Sequence, residues 1–299
     1  MKKSERAGIT AGKIFDVFNV ILFLFLMIVC IYPFYYIIIY SVSDAGKIAT
    51  NGIFLLPAGF SLETYKSIFM MNDILKAFLV TVSRTIIGTT ITIVCSSLFA
   101  YIVSRDKLMF RKFIYRFMII TMYLNAGLIP WYLTMKMYGL KNSFLLYVIP
   151  GAIAAFDVIL VKTYIESLPK SLEEAAVIDG AGILTVFFRI IFPLAKPIVA
   201  TIAVFECVGQ WNSWVDNYFL VSNTNLQTMQ LLLFNYLKKA DSLANLTTRS
   251  MSSESLKHMV SPMTVKMVIT TIATVPILFA YPFLQRYFVK GIMIGAIKG

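Results

Sequence analysis

Long apolar stretches constrain this chain more than any other feature of its sequence. Several reach the roughly 20 residues that an α-helix needs to cross a hydrocarbon core of about 30 Å. Barrel strands would instead be about ten residues long, with alternating polarity. Only 14% of the residues are charged and 59% are hydrophobic, against roughly 25% charged in an ordinary soluble domain. The sequence therefore predicts an all-α, polytopic membrane protein.

Six apolar stretches are predicted as transmembrane helices, at residues 14–40, 77–103, 113–135, 144–164, 198–219 and 265–289. An even number of spans places both termini on one side, and the connections on that side are the richer in Lys and Arg. The positive-inside rule makes that side, and so both termini, cytoplasmic. Residues 1–13 are predicted as a cytoplasmic segment and residues 14–299 as one transmembrane domain. The first stretch has no small-x-small cleavage site behind it, so it is predicted to stay as an anchor.

Two connections on the opposite side are long, at residues 41–76 and 220–264. The second contains MQLLLFNYL, which is too short to cross a bilayer, followed by the polar run DSLANLTTRSMSSES. It is predicted as a short interfacial helix or an ordered loop, and the polar run as mobile.

Several functions are excluded by composition and spacing. The net charge of +12 is spread over the connections, where topology explains it, so no nucleic acid partner is predicted. The single histidine, His258, cannot build an HExxH site or a histidine-based triad. The three cysteines lie apart in apolar segments and indicate no metal site. The segment GITAGKI is one residue short of a phosphate loop, and Ile14 replaces its Ser or Thr.

The connection at residues 166–197 contains the stretch EEAAVIDGAGILTVFFRIIFPLAKP. Pro169 cannot lie inside a continuing helix, so the fourth span is predicted to end before it. Ser171 and Glu174 have capping-box spacing, which predicts a new short helix from Ser171. Gly180 and Gly182 end this helix, and a second short helix follows.

One face of this short helix carries residues at i, i+3, i+4 and i+7, namely Leu172, Ala175, Ala176 and Asp179. The two alanines would let another backbone approach closely. A helix-turn-helix that enters a groove on a partner is one interpretation. An interfacial helix lying on lipid headgroups is the alternative.

The motif Glu174-Ala175-Ala176, three residues, Gly180, nine residues, Ile190, then Phe192-Pro193 resembles the EAA loop of permease subunits in binding-protein-dependent ABC importers. The family usually has Leu where Phe192 stands. The tripeptide DGA and the closing PLAKP resemble its carbohydrate branch. Further similarities follow in order along the chain: SLETYKSIF, GLIPWYLTMKMYGLKNS, the tripeptide QWN at 210–212, and YPFLQRYFVKGIMIGAIKG.

The resemblance implies a type I, MetI-like permease that moves oligosaccharides or polysaccharide fragments through the cytoplasmic membrane of a bacterium. It implies a second homologous permease, an ATPase dimer and an extracytoplasmic solute-binding protein as partners, besides membrane lipid and the sugar. ATP and magnesium would lie on the ATPase, with no cofactor in this chain. Residues 51–69 and 227–255 would face the binding protein, and the tail 291–299 would reach the ATPase.

We call residues 166–197 the EAA segment. In the family this segment carries the cytoplasmic coupling helix, which docks in a cleft of the ATPase. The residues that the resemblance assigns to this coupling are Ser171, Leu172, Glu174, Ala175, Ala176, Asp179, Gly180 and Ala181.

A polar stripe runs along the fifth predicted span, and with one adjacent indole it forms the predicted substrate path. Its members are Glu206, Gln210, Trp211, Ser213 and Asn217. Polar groups are costly against lipid, so the stripe is predicted to face a water-filled cavity or neighbouring helices. Indole rings and amides suit a sugar. The alternative for Trp211 and Trp214 is that they anchor the chain at the membrane interface.

Two rival functions remain at this stage. A secondary transporter would use Asp157, Glu206 and Arg84 as a proton relay, although the two halves of the chain show no convincing repeat. A membrane-embedded hydrolase or transferase lacks a convergent catalytic set. Arg84 could also meet an acidic sugar, pack against a helix, or extend to the headgroups.

Overall fold

The computed structural model describes residues 2–44, 46–48, 55–70, 72–250 and 263–279. Within these ranges the chain is helical, and a single bridge between Ser43 and Phe60 is the only β-type pairing. The all-α prediction is confirmed. The helices are α1 Lys2–Ser41, α2 Glu63–Phe69, α3 Asn72–Ser104, α4 Arg111–Tyr123, α5 Leu128–Met137, α6 Ala155–Glu166, α7 Ser171–Ile178, α8 Ile183–Leu194, α9 Lys196–Asn212, α10 Val215–Leu220, α11 Met229–Ser250 and α12 Met263–Phe279.

Two of these helices are long and apolar enough to cross a membrane alone, α1 over Phe15–Ser41 and α3 over Asp73–Ser104. Two bent pairs pass the same test together: α4 with α5, at 120°, and α8 with α9, at 82°. The described residues therefore hold between two and four such spans. The count of six stays a prediction, and residues 280–289 of the sixth span lie outside the described residues.

Three of the predicted spans are interrupted. In the third, the Asn125 side chain accepts a hydrogen bond from the Gly127 amide at 2.8 Å, and this local turn separates α4 from α5. In the fourth, a 3₁₀ turn at Phe144–Tyr147 and an irregular stretch that contains Pro150 precede α6. In the fifth, α9 ends at Asn212 and the backbone of the next residue is extended.

Two side chains of α3 bond the backbone that the interruption of the fourth span leaves without helical partners. Thr92 donates to the Gly151 carbonyl at 2.8 Å, and the Ser96 hydroxyl accepts from the Ala154 amide at 3.0 Å. Non-helical backbone at membrane depth is tolerated only where protein or water supplies its hydrogen bonds. The hydroxyls of α3 therefore make the broken fourth span possible.

The chain divides into two compact units. The first comprises residues 1–70 and 236–272, and in it the hydroxyls of Ser41 and Tyr65 lie 2.7 Å apart. The second comprises residues 71–235 and 273–299. Its core is built from apolar side chains of α3, α6, α8 and α9, among them Ala100, Tyr101, Val158, Val161, Phe187 and Ile202.

The connection at residues 220–264 contains more helix than the sequence predicts. Helix α11 runs from MQLLLFNYL through the polar run as far as Ser250. The mobility of the polar run stays a prediction, and residues 251–262 lie outside the described residues. Met229 and Leu231 are buried, so this end of α11 is packed against protein.

Candidate functional site

The EAA segment folds into α7, a turn and α8, as the glycines predict. The predicted capping box is wrong, because Lys170 precedes the helix in helical geometry and no side chain caps it. The Lys170 carbonyl accepts from the amides of Glu173 and Glu174, at 3.1 Å each. The chain thus turns into the helix before Ser171, whose hydroxyl is not needed as a cap.

The other end of α7 is a Schellman motif. The Gly180 amide donates to the Val177 carbonyl at 3.1 Å, and the Ala181 amide donates to the Ala176 carbonyl at 2.9 Å. Gly180 has φ +82°, a left-handed conformation that costs a residue with a Cβ about 1–2 kcal/mol. The sharp end of α7 therefore depends on glycine at this position.

The four residues predicted to form the partner-binding face of α7 differ in burial. Ala176 is 8% exposed and packs in the core of its own chain, whereas Ile178, at the end of the helix, is 85% exposed. Ala175 and Asp179 are also exposed. Exposed apolar side chains continue from α7 across the turn into α8, and we call this set the apolar tip: Leu172, Val177, Ile178, Ile183, Leu184 and Phe188.

The opposite side of α7 carries charged contacts that the sequence reasoning missed. Glu173 accepts from Tyr101 at 3.1 Å and pairs with Arg105 at 3.0 Å. The only sequence signal for this contact is the basic run that follows α3. Nearby, the ammonium of Lys170 donates to Asp106 at 2.5 Å. This hydrogen bond lowers the pKa of the Asp106 carboxyl and raises the pKa of Lys170.

The polar stripe of α9 meets a buried arginine. Arg84 is 3% exposed, and its Nε donates to Gln210 Oε1 at 2.8 Å. Its two terminal nitrogens donate to the Asp216 carboxylate at 3.1 and 2.5 Å, and its guanidinium lies 4.5 Å from the centre of the Tyr147 ring. With Asn217, these residues form what we call the Arg84 cluster.

Asn217 extends the Arg84 cluster. It is fully buried, and its amide nitrogen donates to the Tyr147 hydroxyl at 2.7 Å, which in turn donates to the Leu226 carbonyl at 2.6 Å. Its amide oxygen accepts from the Thr228 backbone at 2.8 Å. All polar atoms of the Asn217 side chain are therefore satisfied within the chain.

The remaining stripe residues differ in exposure. Trp211 is buried and donates from its indole nitrogen to the Ala273 carbonyl at 3.0 Å. Ser213 is half-buried, and its carbonyl accepts from Arg84. Glu206 is half-buried and faces Asp157. The structure thus brings Gln210 and Asn217 into one internal network, and leaves Glu206 and Ser213 partly open.

A glycine in the sequence could have indicated this arrangement. A Cβ on Gly88 would lie 2.9 Å from the Gln210 side chain, so the end of that side chain would have to shift if Gly88 were replaced. The Trp214 ring packs within the chain, because it stacks on Phe234 with ring centroids 4.3 Å apart.

Neither a metal site nor the predicted proton relay is found in the described ranges. No three His, Cys, Asp or Glu side chains gather there as a candidate metal site. Asp157 faces Glu206, but Arg84 pairs with Asp216 instead of joining them. The three residues of the predicted proton relay are therefore not arranged as one chain of contacts in this structure.

Comparisons with known proteins agree with this architecture. Residues 88–294 match the family model described as "Binding-protein-dependent transport system inner membrane component". The chain is 33% identical over 288 residues to the polygalacturonan/rhamnogalacturonan transport system permease protein YtcP of Bacillus subtilis, covering 96% of this chain and 99% of that one. It is 33% identical over 290 residues to Protein LplC of the same organism, covering 97% and 96%.

A solved structure is also similar. A bacterial ABC transporter involved in the import of the acidic polysaccharide alginate contains a chain that matches this one with a TM-score of 0.82 and 27% identity. The match covers 92% of this chain and 97% of that chain.

Proposed function

We propose that this chain forms one half of a sugar-conducting pore, because it belongs to the family of binding-protein-dependent transport system inner membrane components. The chain is a permease subunit of an ABC importer, and its relatives import oligosaccharides and polysaccharides. As a transport subunit of the inner membrane, it is not itself an enzyme. Its proposed substrate is an oligosaccharide or polysaccharide fragment.

The proposed assembly contains a second, homologous permease, two ATPase subunits that bind ATP and magnesium, and an extracytoplasmic binding protein. Both termini, and with them the EAA segment, are proposed to lie on the cytoplasmic side. The ATPase clefts would hold the two α7 helices. When ATP closes the ATPase dimer, the helices approach each other and the pore opens outward.

The observation that carries this proposal is the two-sided build of α7. Its inner side is fixed to its own chain by the buried Ala176, the Schellman motif and the Glu173 contacts. Its outer side presents the apolar tip, with Ile178 85% exposed. An exposed apolar patch on a rigid short helix fits the groove of a partner.

The substrate path proposed here contains fewer residues than the polar stripe. Glu206 and Ser213 are partly open, so they are the members that a passing sugar would meet in this conformation. Gln210, Trp211 and Asn217 are buried and bonded within the chain. For these three, contact with sugar would require a conformation in which those bonds are broken.

Cysteine cross-linking in native membranes tests the ATPase contact. In a chain whose three cysteines are replaced by serine, Ile178→Cys is expected to cross-link to the ATPase, because the side chain is exposed at the tip. Ala176→Cys is the matched control two residues away, and its buried side chain is expected to give no cross-link. Failure of Ile178→Cys, Ala175→Cys and Leu172→Cys alike would remove the basis of the proposal.

Uptake into proteoliposomes tests the transport function. The whole assembly, with its binding protein, is expected to accumulate at least one member of a panel of raffinose, maltotriose, trigalacturonate and an alginate trisaccharide. Uptake should need internal ATP and persist when the proton gradient is collapsed. Uptake driven by a proton gradient without ATP would instead support the secondary transporter.

A further inference from the structure

The contact that joins α7 to the end of α3 crosses between two parts of the chain that lie far apart in sequence. One carboxylate oxygen of Glu173 accepts from the Tyr101 hydroxyl at 3.1 Å and pairs with Arg105 Nε at 3.0 Å. The Arg105 guanidinium also lies 5.7 Å from the centre of the Tyr101 ring. Tyr101 is fully buried and stacks on Phe187 of α8. We call Tyr101, Arg105 and Glu173 the Glu173 contact.

A second contact lies beside it. Asp106 pairs with Lys170, the residue that precedes α7, and with Arg111, the first residue of α4, both at 2.5 Å. Arg111 also donates to the Ser104 carbonyl, the last residue of α3, at 3.2 Å. The start of α7 is thus tied to the connection between α3 and α4 as well as to α3 itself.

These contacts are not the main source of stability in this region. Ion pairs that water can reach contribute little to folding, and here Arg105 and Glu173 keep 17% and 29% of their side-chain surface exposed. The burial of Ala176, Val186 and Phe187 already packs α7 and α8 onto the core. The ion pairs fix the start of α7 to the C-terminal end of α3 and to the connection that follows it.

We propose that the Glu173 contact makes α3 move as one body with α7, so that force on the apolar tip is delivered directly to α3. This inference rests on the proposed function. Helix α3 also carries Arg84 of the Arg84 cluster and the hydroxyls that bond the broken fourth span. Movement of α3 would therefore displace the backbone at Gly151 and Ala154, which its hydroxyls bond. Glu173 is a positioning residue, since it acts through Tyr101 and Arg105.

A distance measurement in the assembled importer tests the proposal without knowledge of the sugar. Nitroxide labels at Ile102, on α3, and Ser171, on α7, are both on exposed positions. In the wild-type assembly, the distance between them is expected to be the same without nucleotide and after trapping with ATP and vanadate. In Glu173→Gln it is expected to change or broaden on trapping. A distance that changes in the wild type would overturn the proposal.

A matched control separates the contact from loss of charge in general. Glu166→Gln removes an ion pair to Lys162 that has similar exposure but lies within α6 alone. It is expected to behave as wild type in the distance measurement. In proteoliposomes, Glu173→Gln is expected to lower uptake of the accepted panel sugar per ATP hydrolysed by about fivefold or more, the usual scale of coupling between sites. Equal ratios in both variants would overturn the proposal.

Charge reversal distinguishes a specific contact from a folding defect. Glu173→Arg places two cations together and is expected to lower the uptake ratio, whereas the double variant Glu173→Arg with Arg105→Glu is expected to restore most of it. An equally defective double variant would count against the contact. If the ATPase does not co-purify with the wild-type chain, the proposed function itself is refuted. If it does co-purify but the Glu173 variants behave as wild type, only this inference is refuted.

Discussion

Two polar contacts hold α3, one within its first half and one at its C-terminal end, and they differ in burial. The Arg84 cluster is closed: Arg84 is 3% exposed and bonds Asp216 through two nitrogens. In the Glu173 contact, Arg105 and Glu173 keep 17% and 29% of their side-chain surface exposed. The two ion pairs therefore serve different purposes, because a buried charge that loses its partner costs more free energy than a charge that water can still reach. We expect the first contact to govern stability and the second to govern transmission of movement.

The largest expected effect tests the buried member of this comparison. Arg84→Met leaves the Asp216 carboxylate without its cation, and breaking a buried pair in this way costs about 3–5 kcal/mol. Thermal unfolding of the purified chain in detergent measures the loss. The double variant Arg84→Met with Asp216→Leu is expected to recover part of it, since no buried charge remains. A single variant as stable as wild type would show that the cluster is not structural.

Asn217 sharpens the same comparison, since the sequence assigned it to the substrate path. Asn217→Ala leaves the buried Thr228 amide without its acceptor, at a cost of about 1–3 kcal/mol for the unsatisfied group. The Tyr147 hydroxyl loses the Asn217 donor but still donates to the Leu226 carbonyl. Thermal unfolding is expected to show this loss, while the KM of uptake in proteoliposomes stays near the wild-type value. Unchanged stability with a raised KM would instead show that Asn217 belongs to the substrate path.

The next prediction concerns Gly180, at the end of the helix that carries Glu173. Gly180→Val forces a β-branched residue into φ +82°, where the left-handed conformation alone costs about 1–2 kcal/mol. The end of α7 should then rearrange and displace Ile178, so uptake is lost while the protein stays in the membrane. Gly182→Val is the control, because φ −71° and ψ 161° suit valine. Unchanged uptake in Gly180→Val would contradict the role of the Schellman motif.

The smallest effect concerns pH. The pKa of Asp106 is lowered, chiefly by its hydrogen bond to Lys170, so its contribution to stability is complete above the ordinary Asp pKa of about 3.9 and is lost as pH falls through the lower folded value. The pKa of Lys170 is raised, so its contribution is lost only as pH rises beyond the ordinary Lys pKa of about 10.4.

The stability difference between wild type and Asp106→Asn is therefore expected to be small and constant from about pH 5 to about pH 9. It should shrink at still lower pH and in high salt, because the pair is exposed. Thermal unfolding across this range measures it. A difference that varies near neutral pH would point to another titrating group.

The two regions were predictable to different degrees. In the EAA segment, glycine and proline act locally, so the sequence placed the short helix and its end correctly, although it misplaced the cap at Ser171. Along α9, helical periodicity placed Glu206, Gln210 and Asn217 on one stripe. Periodicity does not say what faces that stripe, and the partner of Gln210 proved to be Arg84, 126 residues away.

The breaks in the spans show the same limit. Asn125 and Pro150 are visible signals for a turn, yet hydropathy alone joins the residues on either side into one stretch. The break that contains Pro150 is stabilised by Thr92 and Ser96 of α3, which supply hydrogen bonds to Gly151 and Ala154. Such compensation between distant segments is invisible in any local window of the sequence.

The sequence by itself determined the helical membrane class, the family and the existence of the EAA segment, because apolar length, glycine and proline act through local backbone and solvation energies. Tertiary structure alone decided that Ala176 is buried and Ile178 exposed. It also decided that Glu173, and not Glu174, bonds the end of α3, and that Gln210 of the polar stripe bonds Arg84. Burial and hydrogen-bond partners depend on which segments meet in space, and that is a property of the folded chain.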